Sequence, residues 1–334
     1  MNTKTFNASI AENRNQGKKI FLIIDGNNSL ANNYFGVKES VVQKHLEENK
    51  QLNLHIYTTT RRWLSVIEKY KFDKVMFVFD SKEKPVFRKE IFPSYKVKSK
   101  PKPLLEESIQ TTKKLLDHLY LDYLSIPGYE ADDVIATLVE KYKKGYQIYI
   151  WSNDKDLYQL VDKNVSLVKY DKFNYGLTLV DEKYIYETEN LSPSEYLQYK
   201  IIYGDKSNNT PGIPGLYWTS LVKQLLREYK TIDNILQIKY PTKKVKRIIL
   251  NITLHWQIVE LNRKLIILVK NVDLKQGFKS RRKIGIGNLY AFCKKQKLNY
   301  EFFKNILPFF LERHKEIYGE VLQETHPQRL NKQK

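Results

Sequence analysis

The sequence predicts an α/β fold in which a central, mostly parallel sheet carries helices on both faces. Residues 20–24 (IFLII) and 75–79 (VMFVF) are short, fully apolar runs, as expected of parallel strands that are buried on both sides. A helical pattern over residues 54–70 separates them, so the three elements make a right-handed βαβ unit. A third run, residues 148–151, predicts another strand of the same sheet.

Weaker patterns complete the α/β part of the chain. Residues 165–169 and 177–180 predict two further strands near the edge of the sheet. Residues 104–121 predict an amphipathic helix, and another helix is expected to begin at Ala131, directly after the Pro127-Gly128 turn.

The chain is predicted to change character at about residue 190. From Ser192 onward the pattern is helical, and the first helix has Ser192 as its N-cap, Pro193 at its first position and Glu195 as a capping-box partner. We therefore expect a disordered polar tail over residues 1–17, an α/β domain over 18–190, a helical region over 191–320 and a polar tail over 321–334.

The chain is strongly basic, with 57 Lys and Arg against 37 Asp and Glu and a formal net charge of +20. This excess predicts a polyanionic partner, and nucleic acid is favoured over a membrane because no apolar run is long enough to span a bilayer. A single cysteine, Cys293, excludes a disulfide framework and a zinc site built on several thiolates. We expect a cytoplasmic protein, since residues 1–17 are polar and lack the apolar core of a signal peptide.

Carboxylates follow the predicted strands at the point where each strand ends. Asp25 closes the first strand, Asp80 follows the second, and Asp154 and Asp156 follow the third. Parallel strands bring their carboxyl ends to one edge of the sheet, where ligands of open α/β sheets bind. A group of acids at this edge of a basic protein predicts divalent cations, Mg²⁺ or Mn²⁺, held against a phosphate backbone.

A second group of acids, Glu130, Asp132 and Asp133, lies at the start of the helix that begins at Ala131. Acids favour a helix N-terminus on electrostatic grounds alone, which accounts for one or two of them. Three acids beside a glycine turn favour a ligand group instead, with Glu130 and Asp133 on one helix face.

Two segments have the character of phosphate-binding surfaces. Residues 82–103 are basic, aromatic and interrupted by prolines, which is too polar for a core; the alternative is a solvated charged loop. Residues 212–215 (GIPG) separate two predicted helices, about 194–203 and 218–229, and would present backbone N–H groups at a helix start. The alternative for this motif is an ordinary helix–helix turn.

Together these motifs resemble the 5′-nuclease or flap endonuclease family, with the nearest likeness to bacteriophage 5′-exonucleases and to the 5′-nuclease domain of bacterial DNA polymerase I. The segments that carry the resemblance occur in the family's order over about residues 18–230. They are IIDGNN around Asp25, FVFDSKEKPVFRKEIFPSYK around Asp80, GYEADDVIATL from Gly128, SNDKDLYQLV around Asp154 and GDKSNNTPGIPG from Gly204.

The resemblance implies a PIN-like sheet, a helical arch at about residues 82–121 and a C-terminal helical region that contains a helix-hairpin-helix motif. It also implies two Mg²⁺ sites, at which Mn²⁺ is expected to substitute. The implied metal ligands are Asp25, Asp80, Glu130, Asp132, Asp133, Asp154, Asp156 and Asp205, with Asp132 bridging the two sites and Asp133 supporting the cluster. The implied catalytic residues are Lys96, Arg88 and Tyr95, and the implied DNA-binding residues are Lys98, Lys100, Lys102, Gly212, Ile213, Gly215 and Tyr217.

The sequence departs from the family pattern at three places. Asn208 stands where the GDxxDN element has its second acid, which removes one negative charge and is expected to weaken the second metal site. Tyr217 and Trp218 stand where the family has small or basic residues after the glycine hairpin. Ser99 stands where a basic residue is expected shortly after the arch Tyr-Lys pair.

We therefore expect a Mg²⁺-dependent, structure-selective 5′-nuclease that acts as a monomer on DNA flaps, branches or 5′-ended duplexes, or on an RNA primer in a hybrid. Lys96 and Arg88 are expected to offset charge on the phosphate, and Tyr95 or Phe92 to stack on a base. One alternative is a branched-DNA-binding protein of the same family whose second metal site has decayed. Another is a ribonuclease of the related PIN type, which is disfavoured because such domains are smaller and lack the hairpin and the C-terminal helices.

Overall fold

The computed structural model describes residues 5–36, 54–83, 86–97, 103–171, 176–277, 283–298, 300–320 and 322. Among these residues, six strands form one sheet in the spatial order β3-β2-β1-β4-β5-β6. The strands are β1 (Lys19–Asp25), β2 (Lys74–Val78), β3 (Tyr123–Leu124), β4 (Tyr146–Trp151), β5 (Val165–Asp171) and β6 (Gly176–Val180).

The register of the sheet confirms the parallel arrangement that the apolar runs predict. β1 pairs in parallel with β2 on one side and with β4 on the other, which places Asp25 opposite Val78 and Ile24 opposite Trp151. β5 continues the parallel order beside β4, whereas β6 runs antiparallel at the edge. The carboxyl ends of β1, β2 and β4 therefore meet at one edge of the sheet.

Helices cover both faces of this sheet, as the α/β prediction requires. Successive side chains of β1 alternate between two apolar cores, because neighbouring residues of a strand point to opposite faces. Phe21 and Ile23 lie in the core under α6 to α12, whereas Ile20 and Leu22 lie in the core under the remaining helices of the sheet. The helices are α1 (Phe6–Asn15), α2 (Gly26–Gly36), α3 (Leu54–Tyr70), α4 (Phe87–Ile91), α5 (Pro103–His118), α6 (Ala131–Tyr142), α7 (Glu182–Glu189), α8 (Pro193–Tyr203), α9 (Thr219–Tyr229), α10 (Ile232–Leu236), α11 (Lys243–Leu254), α12 (Trp256–Ile266), α13 (Ile286–Lys295) and α14 (Tyr300–Tyr318), with 3₁₀ helices at Lys155–Leu160 and Leu274–Gly277.

The N-terminal segment corrects the expectation of a disordered tail over residues 1–17. Within it, α1 buries Phe6 and Ile10, which are one helical turn apart. The Ser9 hydroxyl lies 2.8 Å from the hydroxyl of Tyr149 on β4. Only one narrow side of α1 faces the sheet, so the segment is polar overall. For this reason its composition does not reveal that it forms a packed helix.

The segment between β2 and β3 contains α4 and α5, which flank the predicted arch. Residues 98–102 lie outside the described residues, so Lys98, Lys100, Lys102, Ser99 and the closure of the arch stay predictions. The C-terminal helices α13 and α14 pack on this side of the sheet, where Phe292 stacks on His118 of α5. No helix in the described ranges is both long enough and apolar enough to cross a bilayer.

Candidate active site

Asp25 ends β1 at the edge of the sheet where the carboxyl ends of β1, β2 and β4 meet, which we call the acidic edge. Its side chain is only 3% exposed. One carboxylate oxygen accepts a hydrogen bond from the N–H of Asn28 at 2.9 Å, and the other accepts one from the Ser152 hydroxyl at 2.8 Å. Burial nevertheless raises the pKa of Asp25 to about 7, and the charges of Asp80 and Asp154 act in the same direction.

The end of β2 places Asp80 beside Asp25, at the open mouth of the site. Its carboxylate accepts hydrogen bonds from the side-chain amide of Asn27 at 3.0 Å and from the N–H of Ala131 at 2.8 Å. Asn27 also accepts the N–H of Asp80 at 3.0 Å, so the residue is held through both its main chain and its side chain. These contacts fix the strand end against the first turn of α6.

Asp132 enters the site from the first turn of α6, where it is half-buried. Within the described ranges no hydrogen-bond donor reaches its carboxylate. Loss of hydration raises the pKa of Asp132 well above its usual range, and the charges of Asp154 and Asp25 add to the shift. The charge of Lys96, which is paired with Glu130, offsets this shift only in part. We call Asp25, Asp80 and Asp132 the open carboxylates.

Glu130 lies beside the open carboxylates, but the protein already neutralises it. Its oxygens accept from the ammonium of Lys96, from the Tyr95 hydroxyl at 2.9 Å and from the Arg88 guanidinium at 3.1 Å. Burial alone would raise the pKa of Glu130, but the charges of Lys96 and Arg88 outweigh it and hold the pKa below its usual value. Glu130 could bind a metal only by giving up the Lys96 contact.

Arg88 and Asp133 are bound mainly to each other, and of the two only Arg88 reaches the acidic edge, through its contact with Glu130. Arg88 is 1% exposed and forms a two-pronged ion pair with the fully buried Asp133, at 2.6 and 2.8 Å. Its Nε also donates to the carbonyl of Leu265 at 2.7 Å, and Asp133 accepts the N–H of Val269 at 2.9 Å. The pair therefore joins α4, α6 and the strand-like segment after α12. Arg88 holds these elements in position and has no free donor directed at a phosphate, and Asp133 is not placed to bind a metal.

Tyr95 is likewise buried, with 3% of its side chain exposed, so stacking on a base is excluded in this arrangement. Lys96 is the arch residue that reaches the site. It adopts a left-handed backbone with φ of 53°, and its N–H donates to the carbonyl of Asn208 at 3.0 Å. A non-glycine residue held in this region is a recognised mark of a functional site. Phe92 is half-buried beside this segment.

The 3₁₀ helix after β4 and the loop after α8 bring Asp156 and Asp205 together. The ammonium of Lys200, on α8, bridges them and lies 2.7 Å from the Asp205 carboxylate. The second oxygen of Asp156 accepts from the amide of Asn208 at 3.2 Å, and the second oxygen of Asp205 accepts from the Ser207 hydroxyl at 2.6 Å. Because both oxygens of each acid are occupied by donors of the protein, we call Asp156 and Asp205 the closed carboxylates.

The two closed carboxylates differ in their charge, because burial outweighs Lys200 at Asp156 and raises the pKa of that acid. Burial alone would raise the pKa of Asp205, but Lys200 and Ser207 hold that pKa below its usual value. Asp156 and Asp205 in turn raise the pKa of Lys200 above its usual value, so the ammonium stays charged. Asp154 lies between the two groups and is the N-cap of the 3₁₀ helix, accepting the N–H of Asp156 at 2.8 Å.

Lys200 is the site residue that sequence reasoning missed. The sequence marks this residue by its position, because it is a lysine within the mostly apolar and aromatic end of α8 (YLQYKIIY), five residues before Asp205. A lysine surrounded in sequence by buried residues needs a charged partner, because burial of an unpaired ammonium is costly. The sequence does not state which acid is that partner.

The glycine hairpin behaves only partly as predicted. Ile213 is buried, and its N–H donates to the carbonyl of Ile202 at 2.9 Å, so neither its side chain nor its N–H is available to DNA. A Cβ at Gly212 would lie 2.3 Å from the carbonyl oxygen of Tyr203, so this glycine permits a close approach to α8. Gly215, with φ of +71°, and Tyr217, 84% exposed, face outward at the start of α9.

The donor chemistry of the open carboxylates fits a hard divalent cation, since all their ligand atoms are carboxylate oxygens. In the part of the chain that the structure describes, no three acids or histidines already stand close enough to hold a metal without adjustment. Burial, and to a smaller extent the neighbouring acids, raise the pKa values of Asp25 and Asp132, and a bound cation would favour their ionised forms.

Comparison with known proteins gives a consistent result. A family model described as the 5′-3′ exonuclease N-terminal resolvase-like domain matches residues 20–189. A 5′-3′ exonuclease of Aquifex aeolicus is 31% identical over 266 residues, which cover 77% of this chain and 86% of the relative. A thermostable DNA polymerase I of Thermus thermophilus is 32% identical over 225 residues, which cover 67% of this chain and 26% of the polymerase. The chain thus spans about a quarter of the length of that polymerase.

Solved structures share the fold at lower identity. The bacteriophage T5 D15 flap endonuclease, in a complex with DNA and metal ions, aligns with a TM-score of 0.58 and 20% identity over 87% of this chain and 99% of its own. The catalytic core of Rad2, in complex with a DNA substrate, aligns with a TM-score of 0.57 and 15% identity over 87% of this chain and 92% of its own.

Proposed function

The chain belongs to the 5′-3′ exonuclease family, and we propose that it is a divalent-metal-dependent nuclease that hydrolyses DNA phosphodiesters near 5′ ends or flaps. The observation that carries this proposal is the convergence of Asp25, Asp80 and Asp132 at the carboxyl edge of the sheet. These acids are crowded, and the pKa of each is raised, chiefly by burial, although the charge of Lys96 partly offsets the shift at Asp80 and Asp132. A buried group of this kind is costly to keep unless function requires it.

Mg²⁺ is the cation that the oxygen donors favour, and Mn²⁺ would substitute. When bound by the open carboxylates, a divalent cation would supply a water of lowered pKa and a positive charge beside the scissile phosphate. Asn28 and Ser152 orient Asp25 for this purpose, and Asn27 orients Asp80. The family resemblance implies a second cation, and its ligands would be Asp154 and the closed carboxylates.

Lys96 is the residue of the chain that we assign to the reacting phosphate. Its ammonium is partly exposed and pairs with Glu130, directly beside the open carboxylates. Negative charge builds on the phosphate during hydrolysis, and an ammonium positioned beforehand can offset it. The N–H of Lys96 donates to the carbonyl of Asn208, so the main chain of Lys96 is joined to the loop that carries Asn208.

DNA is the proposed substrate and partner, and an RNA primer in a hybrid is a second proposed substrate class. We propose that the protein acts as a monomer. The net charge of +20 supplies general attraction to the phosphate backbone. The outward-facing Gly215 and Tyr217 support a proposed contact with duplex at the start of α9. We place its action in the cytoplasm.

The test is cleavage of a duplex with a labelled 5′ flap, with and without Mg²⁺. We expect Mg²⁺-dependent cleavage that leaves a 5′-phosphate and a 3′-hydroxyl. Glu140→Gln is the matched control, because Glu140 lies on the same helix as Asp132 but on the surface, paired with Lys143. This variant is expected to cleave normally.

The alternative is a protein of the same family that binds branched DNA without cutting it. The observation in its favour is that Lys200 and Asn208 already satisfy the closed carboxylates. Tight binding of the flap substrate with no cleavage at any concentration of Mg²⁺ or Mn²⁺ would establish this alternative and reject the nuclease.

A further inference from the structure

Lys200 lies where a second cation of the proposed site would have to bind. Its ammonium contacts an oxygen of Asp156 and an oxygen of Asp205 at the same time, as a divalent cation between them would. The bridge links α8 to the 3₁₀ helix that follows β4. Only 12% of the Lys200 side chain is exposed, so the ion pairs are shielded from solvent and screened little by salt.

Asn208 adds a further hydrogen bond to the carboxylates that Lys200 bridges. Its amide N–H donates to the remaining oxygen of Asp156 at 3.2 Å, which an aspartate at the same position could not do. The Ser207 N–H and hydroxyl bind the remaining oxygen of Asp205 at 2.8 and 2.6 Å. The closed carboxylates thus carry a full set of protein donors, and a second divalent cation does not fit them as they stand.

We propose that Lys200 takes the place of the second divalent cation, so that this chain binds one such cation tightly, at the open carboxylates. A second ion can bind only by displacing the ammonium from Asp156 and Asp205. In the working site, Lys200 then supplies a fixed positive charge on the side of the closed carboxylates. This inference rests on the proposed function, because it takes the open carboxylates to be the first cation site.

The test is the number of Mn²⁺ ions bound per chain, counted from the loss of the free-ion signal in electron paramagnetic resonance, on the full chain without DNA. We expect the wild type to bind one ion tightly and any second ion at least about 10-fold more weakly, because that ion meets a fixed positive charge. Lys200→Met removes the charge and keeps the length of the side chain. It should raise the affinity for the second ion by at least about 10-fold.

Two further variants keep the test decisive if Lys200→Met does not fold. Asn208→Asp restores an acid while Lys200 stays in place, and it should strengthen the second ion by less than Lys200→Met does. Lys223→Met is the matched control, because Lys223 lies near Glu189 on the neighbouring helix α9, outside the acidic edge. It should leave the binding curve unchanged.

Four outcomes would overturn the proposal. Two ions of equal affinity in the wild type would show that Lys200 does not compete, as would two tight ions in Asn208→Asp alone. A weaker second ion in Lys200→Met would show that the ammonium supports metal binding. Asp132→Asn separates this inference from the proposed function, because loss of the single tight ion there locates it at the open carboxylates. If the wild type binds no ion tightly, both the first site and the role of Lys200 are rejected.

Discussion

The open and the closed carboxylates lie at the same edge of the sheet but are treated in opposite ways. Asp25 and Asp132 have raised pKa values, chiefly through burial, and the charge of Lys96 offsets the shift at Asp132 only in part. Asp156 and Asp205 share the buried ammonium of Lys200. On the open side, burial and the neighbouring acids disfavour the ionised carboxylates, which a cation from solution would stabilise, whereas on the closed side the chain itself supplies a cation. Acids of the same type can therefore be a metal site or an internal ion pair, depending on which helix delivers a lysine.

The largest effect that this comparison predicts is on catalysis. Asp132→Asn should lower the single-turnover rate by more than the roughly 10²- to 10³-fold that follows loss of one transition-state partner, because it removes an open carboxylate. Asp156→Asn should cost about 10-fold, since Lys200 already neutralises that acid. Cleavage of the flap substrate measures both variants, with DNA affinity expected to stay the same or rise slightly. Equal losses of single-turnover rate in the two variants would contradict the distinction between open and closed carboxylates.

The ion pair of Arg88 and Asp133 should matter for stability and not for contact with the phosphate. Arg88→Met should lower the free energy of unfolding by about 3–5 kcal/mol, because it leaves the carboxylate of Asp133 buried and unpaired. Urea unfolding measures this loss. Lys89→Met, at the exposed next position of α4, is the control and should leave stability unchanged. A stable Arg88→Met protein with a collapsed rate would restore the catalytic role expected from the sequence.

Lys96 should affect the chemical step, in contrast to its neighbours in the arch. Lys96→Ala should lower the single-turnover rate at saturating enzyme by about 10²-fold, the scale of losing one charge-stabilising partner. Neutralising Lys98, Lys100 and Lys102 together should leave that rate unchanged and lower the salt slope of binding by roughly three units. Rate and binding measured over a salt series separate the two effects. If both changes altered affinity alone, the arch would be only a binding surface.

The raised pKa of Asp25, caused chiefly by burial, should make stability depend on pH when no metal is present. Between the usual pKa of 3.8 and the folded pKa of about 7, Asp25 holds a proton in the folded chain that the unfolded chain has released. Stability in EDTA should therefore fall as the pH rises through this window, by a few degrees in melting temperature. Mg²⁺ at pH 8 should reverse the fall.

Asp25→Asn should flatten this dependence, and Asp233→Asn, at a surface acid paired with Arg263, should not. Thermal unfolding from pH 5 to 8 gives the measurement. A metal-free protein whose stability rises through the window would contradict the raised pKa assigned to Asp25.

The smallest effect concerns Tyr217, at the start of α9 and away from both groups of acids. Tyr217→Gly should tighten duplex binding a few-fold at fixed salt, because the exposed ring shields backbone N–H groups at a helix start. Tyr240→Gly removes an equally exposed ring elsewhere in the helical region and serves as the control. Fluorescence anisotropy with labelled duplex measures both. Weaker binding in Tyr217→Gly would show that the ring is itself a contact.

The sequence alone was sufficient for the parallel sheet and for the meeting of Asp25 and Asp80, because short apolar runs ending in acids can pair in few ways. It was sufficient for the start of α6 at Ala131 and for the capping of α8, whose Ser192 and Glu195 form the expected capping box. These features depend on local spacing and on periodicity, which a single chain displays directly.

Only the tertiary structure decided which charges became partners. Arg88 pairs with Asp133 across 45 residues of sequence, and Lys200 reaches Asp156 across 44. The helix α1 likewise depends on Tyr149, which is distant in sequence from the residues that contact it. Burial and ion pairing are properties of elements packed together, and residue type does not reveal them. The sequence determined where the acids would gather, and long-range packing determined which of them would be left for a metal.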